Sequence, residues 1–292
     1  MMTIDMPETS TYRLHFDQVI SQIRDLPALP AIVQDLMRNV GPDDVDLNVI
    51  TRKVSLDQAL TAKTLQFANS SFYALQSKVT TIQQAITLIG VDSVRHVVTA
   101  SALTGYFPPN NCAGFDFFSL WRHSVATAVC ARVLARHLHL NQDYAFTAGL
   151  LHDIGRLVLV TYFRNEYEAV IAYRNLHDCQ WLDAEREVMG VDHVMAGEAL
   201  AAHWNFSDSI RYAIAGHHHP EQQKVRSLAS IVHIADAIAH ALDLSGREDD
   251  LVPPISLIAW NGLGLSEDVY QQVFHETEML FDEVSRVLLT EK

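Results

Sequence analysis

Basic residues are scarce in this sequence. Its 292 residues carry 21 Lys and Arg against 35 Asp and Glu, a formal charge of −14 at pH 7. Nucleic acid is bound largely by neutralising phosphates with clustered Lys and Arg, and no basic run occurs here, so nucleic acid is disfavoured as a partner. Cysteine is sparse too. Cys112, Cys130 and Cys179 form no close pair and are odd in number, which argues against a disulfide framework or a thiolate zinc site. The most apolar stretches, 125–135 and 157–163, are short or interrupted by Arg. They fall below the roughly 18 apolar residues needed to cross a bilayer, so no membrane partner is expected. The N-terminus, MMTIDMPETSTYRLHF, lacks the basic segment and apolar core of a secretory signal. These absences together lead to the expectation of a cytoplasmic location.

Glycine and proline are few, 12 and 9 residues, and they gather at breaks. What remains is globular in balance, 49% hydrophobic and 19% charged. Apolar residues recur at helical spacing and strand-like alternation is nearly absent, which predicts an all-α fold. LPALP at 26–30 forces an extended entry, followed by a helix over 31–40 and a break at Gly41-Pro42-Asp43-Asp44. Further helices are expected over 47–54, 58–69 with Asp57 as N-cap, 81–89 ending at Gly90, and 93–105 capped by Asp92. Pro108-Pro109-Asn110-Asn111 is the clearest linker and sets a lobe boundary. The organisation read from this is an N-terminal tail over 1–20, a helical lobe over 21–110 and a second helical lobe over 111–292. In the second lobe, helices are expected from Asp116 to about Leu140, then over 143–163, 164–177, 181–189, 193–204 after Asp192, 208–217 after Ser207, 226–242 and, last, 266–289.

Histidine is the residue in excess: 15 of them, more than the glycines. Most follow the linker. His152-Asp153, within AGLLHDIGR, lies in the middle of the apolar segment 143–163. Both polar groups must be paired or bound there, and neighbours on a helix point about 100° apart, so one simple pair rarely satisfies both. A metal, or two with the carboxylate between them, would. His123, His193, His217, His218 and Asp236 sit on other helices. Imidazole and carboxylate without thiolate suit Fe, Mn, Ni, Co or Zn. Plainer roles exist for each residue. A lone buried His is commonly a satisfied core residue. Asp236 could bond His233 three residues earlier, and 217–219 could be a polar helix end. His15, His96, His137, His139, His177, His203, His219, His240 and His275 read as structural or exposed.

The order His123, His152-Asp153, His193, His217-His218, Asp236 resembles the HD superfamily of metal-dependent phosphohydrolases, and most nearly its HD-GYP branch. LPALP, SLDQALTAKTLQFANSSFY (55–73) and TIQQAITLIGVDSVRHVV (81–98) resemble an HDOD domain, and the likeness covers roughly 20–240. The resemblance implies a two-lobed helical fold with an HD-like bundle and a role in signal transduction or regulation, with protein partners. It assigns His123, His152, Asp153 and Asp236 to one divalent metal and His193, His217 and His218 to a second, bridged by Asp153. An active member would be a phosphohydrolase on a nucleotide or other phosphoester, with Asp153 and Arg156 as its catalytic residues. Three positions depart from the pattern. Arg156 replaces a Lys, HHHPEQQKV stands where the GYP signature belongs, and Asp57-Gln58 replaces Asp-Pro. The second departure weakens any expectation of cyclic dinucleotide hydrolysis.

Overall fold

The computed structural model describes residues 9–26, 29, 33, 47–70, 73, 77–107, 111–224 and 226–289. The helix expected over 31–40, the break at 41–44, most of LPALP and the Pro108-Pro109-Asn110 linker lie outside the described residues. Among the described residues there is no strand, and the all-α expectation holds.

In the first lobe, helices α2 (Leu47–Ser55) and α3 (Gln58–Ala68) pack against α4 (Ile82–Tyr106). Asp57 caps α3, its Oδ1 accepting from the Leu60 amide at 3.0 Å, and Thr81 caps α4 through the Gln84 amide. The expected break at Gly90 is real: its φ of 83° lies in the left-handed region, which glycine occupies without steric penalty. Asp92 pairs with Arg95. Ile82–Leu103 is, by length and composition, apolar enough to cross a membrane, contrary to the expectation that no segment is. The Gly90 kink interrupts it, and 61% of its apolar window is buried inside the protein.

The second lobe is organised around α5 (Phe117–His137), capped by Asp116, whose carboxylate accepts from the Phe118 and Ser119 amides. Ala126, Ala128, Ala131 and Ala135 are fully buried along it, and these small side chains let α6 (Gln142–Leu151), α12 (Leu228–Ala241) and α14 (Glu267–Leu289) approach closely. Helices α7 (Ile154–Tyr162), α8 (Arg164–His177), α9 (Trp181–Met189), α10 (His193–His203), α11 (Asp208–Gly216) and the short α13 (Leu257–Leu263) complete the bundle. Asp192 caps α10 through the Met195 amide, whereas Ser207 makes no side-chain cap on α11.

Residues 9–20, read above as tail, are structured. A 3-10 turn (Thr9–Tyr12) precedes α1 (Phe16–Arg24). The Leu14 amide donates to the Met189 carbonyl at 2.8 Å, and buried Val19 and Ile23 join the core. The hydrophobic face of α1 is satisfied by α10 and α7 of the second lobe.

Candidate metal centre

The apolar segment 143–163 is not one helix. It ends at Leu151 and restarts at Ile154, with His152 and Asp153 in the turn between. Asp153 has φ −99° and ψ 12°, the bridge region favoured at tight turns and functional sites. Both side chains reach the same cluster, with His152 Nε2 3.6 Å from Asp153 Oδ2. Two glycines make room. A Cβ on Gly149 would stand 2.7 Å from the Ala128 Cα, and one on Gly155 would stand 2.0 Å from the His193 carbonyl oxygen.

All seven candidate metal residues meet there. Asp153 Oδ1 lies 3.3 Å from His193 Nε2 and 3.8 Å from His217 Nε2, and His218 Nε2 is 3.0 Å from His193 Nε2. On the other side, His123 Nε2 is 2.9 Å from Asp236 Oδ1 and 3.2 Å from His152 Nε2. His152 Nε2 sits 3.7 Å from Asp236 Oδ1 and 3.6 Å from Asp153 Oδ2, joining the two sides. Six of the seven are buried, and His218 is partly so.

Proton placement shows what the cluster accepts. His152 Nδ1 donates to the Gly149 carbonyl and His217 Nδ1 to the Ile214 carbonyl, each at 2.7 Å. His193 Nδ1 donates to Glu185 Oε2 at 2.6 Å. With the outer nitrogens committed, the inner Nε2 atoms carry lone pairs, and they face one another and two carboxylates. Asp153 Oδ1 and His217 Nε2 are buried without a hydrogen-bond partner. Orphaned acceptors aimed at a common point call for a cation.

The titration behaviour agrees. Burial opposes the charge of Asp153, but Arg156, His152 and His193 hold its carboxyl well below the usual range. Burial opposes that of Asp236 too, but hydrogen bonds to His123 and His240 hold its carboxyl well below the usual range. Burial and the neighbouring His152 push His217 down to about 3, and burial beside His217 keeps His218 well below its ordinary value. His193 alone among these is raised, because Glu185 and Asp153 outweigh its burial. For His217 and His218 the neutral imidazole, and for Asp153 and Asp236 the ionised carboxylate, are the ligand forms, whereas His193 is held toward its charged form.

Arg156, the other residue singled out, is buried with Nη1 3.1 Å from Asp153 Oδ2 and Nε 3.8 Å from Glu185 Oε1. Burial disfavours its charge, yet those two carboxylates keep it firmly protonated. It also borders a cavity of about 240 Å³, with Asp153, Trp181, His218, His240 and Pro253 among the other lining residues. A smaller cavity of about 20 Å³, bordered by His123, Arg156 and His240, also reaches the cluster.

Three residues belong to this region that the sequence reading passed over or placed elsewhere. Glu185, fully buried on α9, accepts from His193 Nδ1, the His193 amide and the Tyr167 hydroxyl. His240, read as structural, places Nε2 3.4 Å from Asp236 Oδ1, with Asp250 behind it. His233 does not bond Asp236: its Nδ1 donates to the His217 carbonyl and its Nε2 accepts the Ser256 amide. Its position four residues before Ala237 and three before Asp236 is sequence proximity only. His219 stays outside, half-exposed beside Glu221.

Known proteins resemble this chain at three levels. The model of the HDOD domain family matches residues 26–220. An uncharacterized protein of Treponema pallidum is 26% identical over 237 residues, covering 77% of this chain and 44% of its own length. Ribonuclease Y of Thermoanaerobacter pseudethanolicus is 33% identical over 128 residues, 44% of this chain and 20% of that protein. The chain thus spans less than half the length of either relative. Among solved structures, a Shewanella amazonensis chain named as a candidate phosphohydrolase superposes with TM-score 0.72 at 27% identity, covering 92% of this chain and 97% of that one. An HDOD domain protein of unknown function from Geobacter sulfurreducens superposes with TM-score 0.77 at 23% identity, over 94% and 98% of the two chains.

Proposed function

The chain belongs to the HDOD domain family, and we propose that it is a metal-binding member whose centre hydrolyses a small phosphoester within a signalling or regulatory role. The observation that carries this reading is the buried, unpartnered Asp153 Oδ1 between His193 and His217, in a cluster that opens on a cavity. A purely structural site would be closed on all sides. His123, His152, Asp153 and Asp236 would hold one divalent transition-metal ion, and His193, His217 and His218 a second, with Asp153 between them. Fe, Mn, Ni, Co and Zn all suit the donors. The chemistry such ions supply when bound is neutralisation of phosphoryl oxygens and acidification of a water molecule.

The chain's own residues supply the rest. Glu185 fixes the His193 ring so that Nε2 faces inward, and the Gly149 and Ile214 carbonyls do the same for His152 and His217. Arg156 keeps Asp153 ionised and borders the cavity, where a planar guanidinium could take a phosphoryl group. A cavity of about 240 Å³ accommodates a small ester better than a polymer, and the charge of −14 is a further reason to favour a small phosphoester or nucleotide over the RNA that the name ribonuclease Y implies for that relative.

A regulatory role has one observation of its own. Helix α4 of the first lobe packs on α6, the helix that ends at His152. A partner or ligand acting on the first lobe would therefore act on the element that aims the site.

Elemental analysis of protein purified without chelator, followed by a screen of phosphomonoesters and phosphodiesters, tests the proposal. Bound transition metal and turnover of at least one ester are expected, and the double variant His152→Ala, Asp153→Ala should lose both. Metal without turnover across the screen would leave the regulatory role and overturn the hydrolase. Absence of metal after reconstitution with Fe, Mn, Ni and Zn would overturn the ligand assignment.

A further inference from the structure

We propose that His240 is a further ligand at the metal position that includes His123 and Asp236, oriented by Asp250, so that this chain's donor set is one imidazole larger than the seven residues discussed above. The inference rests on the metal reading and adds to it.

The argument is a parallel in construction. His152, His193 and His217 each commit Nδ1 to an oxygen outside the cluster and turn Nε2 inward. His240 has a comparable arrangement, with an ion-pair contact to a carboxylate in place of the hydrogen bond. Its Nδ1 lies 2.8 Å from Asp250 Oδ1, and its Nε2 lies 3.4 Å from Asp236 Oδ1. Asp250 is itself held, accepting from the Ser245 hydroxyl at 2.7 Å. A carboxylate behind the imidazole, fixed in turn by a further hydrogen bond, is the support that metal-binding histidines receive. Asp236 and His240 are four residues apart on α12, so they share a helix face. The His240 ring lies 4.2 Å from that of His123, centroid to centroid. His123, Asp236 and His240 each offer a donor atom within 4.8 Å of the others.

The His240 ring also borders the cavity. With His240 included, His123, Asp236 and His240 would offer three donors to one cation. Imidazole and carboxylate donors of this kind would suit Mn or Fe.

The test uses the full chain loaded with Mn²⁺, freed of excess metal, and titrated with chelator while bound manganese is measured. The variants are His240→Leu and Asp250→Asn, with His203→Gln, an exposed histidine on α10, as control. We expect His240→Leu to release manganese at a chelator concentration at least about tenfold lower than wild type. Asp250→Asn should shift in the same direction, since loss of an outer-shell partner weakens metal affinity by about 10- to 100-fold. His203→Gln should match wild type. A folded His240→Leu that keeps the wild-type release point overturns the assignment. If His240→Leu does not fold, Asp250→Asn decides, and an unchanged release point overturns it equally. A wild-type chain that retains no manganese or other metal refutes the metal reading itself, and the His240 assignment falls with it. Retention by wild type with no effect of either variant refutes only the latter.

Discussion

The substitution Gly155→Ala adds a single methyl group at the tightest contact near the site. The added Cβ would lie 2.0 Å from the His193 carbonyl oxygen, 2.4 Å from the Gly197 nitrogen and 2.9 Å from the Gly197 Cα. All three are backbone atoms, so no side chain can swing aside. Reaching even 3.0 Å requires α7 and α10 to separate by about 1 Å. That displacement carries His193 away from Asp153, 3.3 Å distant, and from Glu185, 2.6 Å distant. Overpacking a close-packed interior costs about 1–3 kcal/mol, and more where backbone must move. Because all three obstacles are backbone, the top of that range, about 3 kcal/mol, applies; the better helix propensity of alanine returns up to about 1 kcal/mol, leaving a net loss of about 2–3 kcal/mol. At about 2–4 °C per kcal/mol for chains of this order, Tm should fall by roughly 4–12 °C. Thermal unfolding followed by circular dichroism, with bound metal measured on the same samples, is the assay. Gly105→Ala is the control: its Cβ would meet nothing within 4 Å, so its Tm should stay level or rise slightly. A Gly155→Ala protein that melts within 1 °C of wild type and binds metal equally would refute the close approach of α7 and α10 on which the placement of His193 rests.

Three other outcomes are expected. Glu185→Gln removes a fully buried carboxylate that takes three hydrogen bonds; metal held by His193 should bind about 10- to 100-fold more weakly, as read by competition with a chelator. Arg156→Met leaves Asp153 and Glu185 without their shared cation, a loss of about 3–5 kcal/mol for a broken buried pair. Bound metal would compensate part of it, so the difference in Tm from wild type should be larger with chelator than with metal, and equal differences would count against the shared role. His96 is buried, stacked on Phe146 with centroids 4.7 Å apart, and held well below its ordinary pKa of 6.5 by burial and by Arg132 and Arg95. The unfolded chain therefore takes up a proton below about pH 6.5 that the folded chain refuses, and stability falls as pH drops, by up to about 1.4 kcal/mol per pH unit for this one group. His96→Phe should flatten the wild-type curve of urea stability against pH by that amount between pH 6 and 5.

Local capping signals were readable because they act over three residues: Asp57, Asp116 and Asp192 each cap the helix they precede. The turn at His152-Asp153 was not, since the apolar pattern runs through it unbroken. Its cause lies in other segments, in the α10 backbone that fills the space beside Gly155 and in the imidazoles that surround Asp153. The candidate residues therefore come together across a turn where one continuous helix was expected. Glu185 was hidden differently. Trp181, Leu182, Glu185, Val188 and Met189 occupy the buried face of α9, so Glu185 fills an apolar position in an otherwise regular helical pattern. A carboxylate at such a position must find donors, and that expectation was available from spacing alone. Its partner was not, because His193 follows the turn at Gly190, where the chain reverses with φ 72°. His240 shows the converse. Its relation to Asp236 is a local i, i+4 spacing, but an acid and a histidine one turn apart are common on helix surfaces. What separates this pair from that ordinary case is the second carboxylate, Asp250, reached only after the chain leaves α12 and turns back at Gly246, where φ is again 72°. Spacing can place a donor on the correct face, but whether its other nitrogen is held, and so whether it is built as a ligand, depends on the return of the chain.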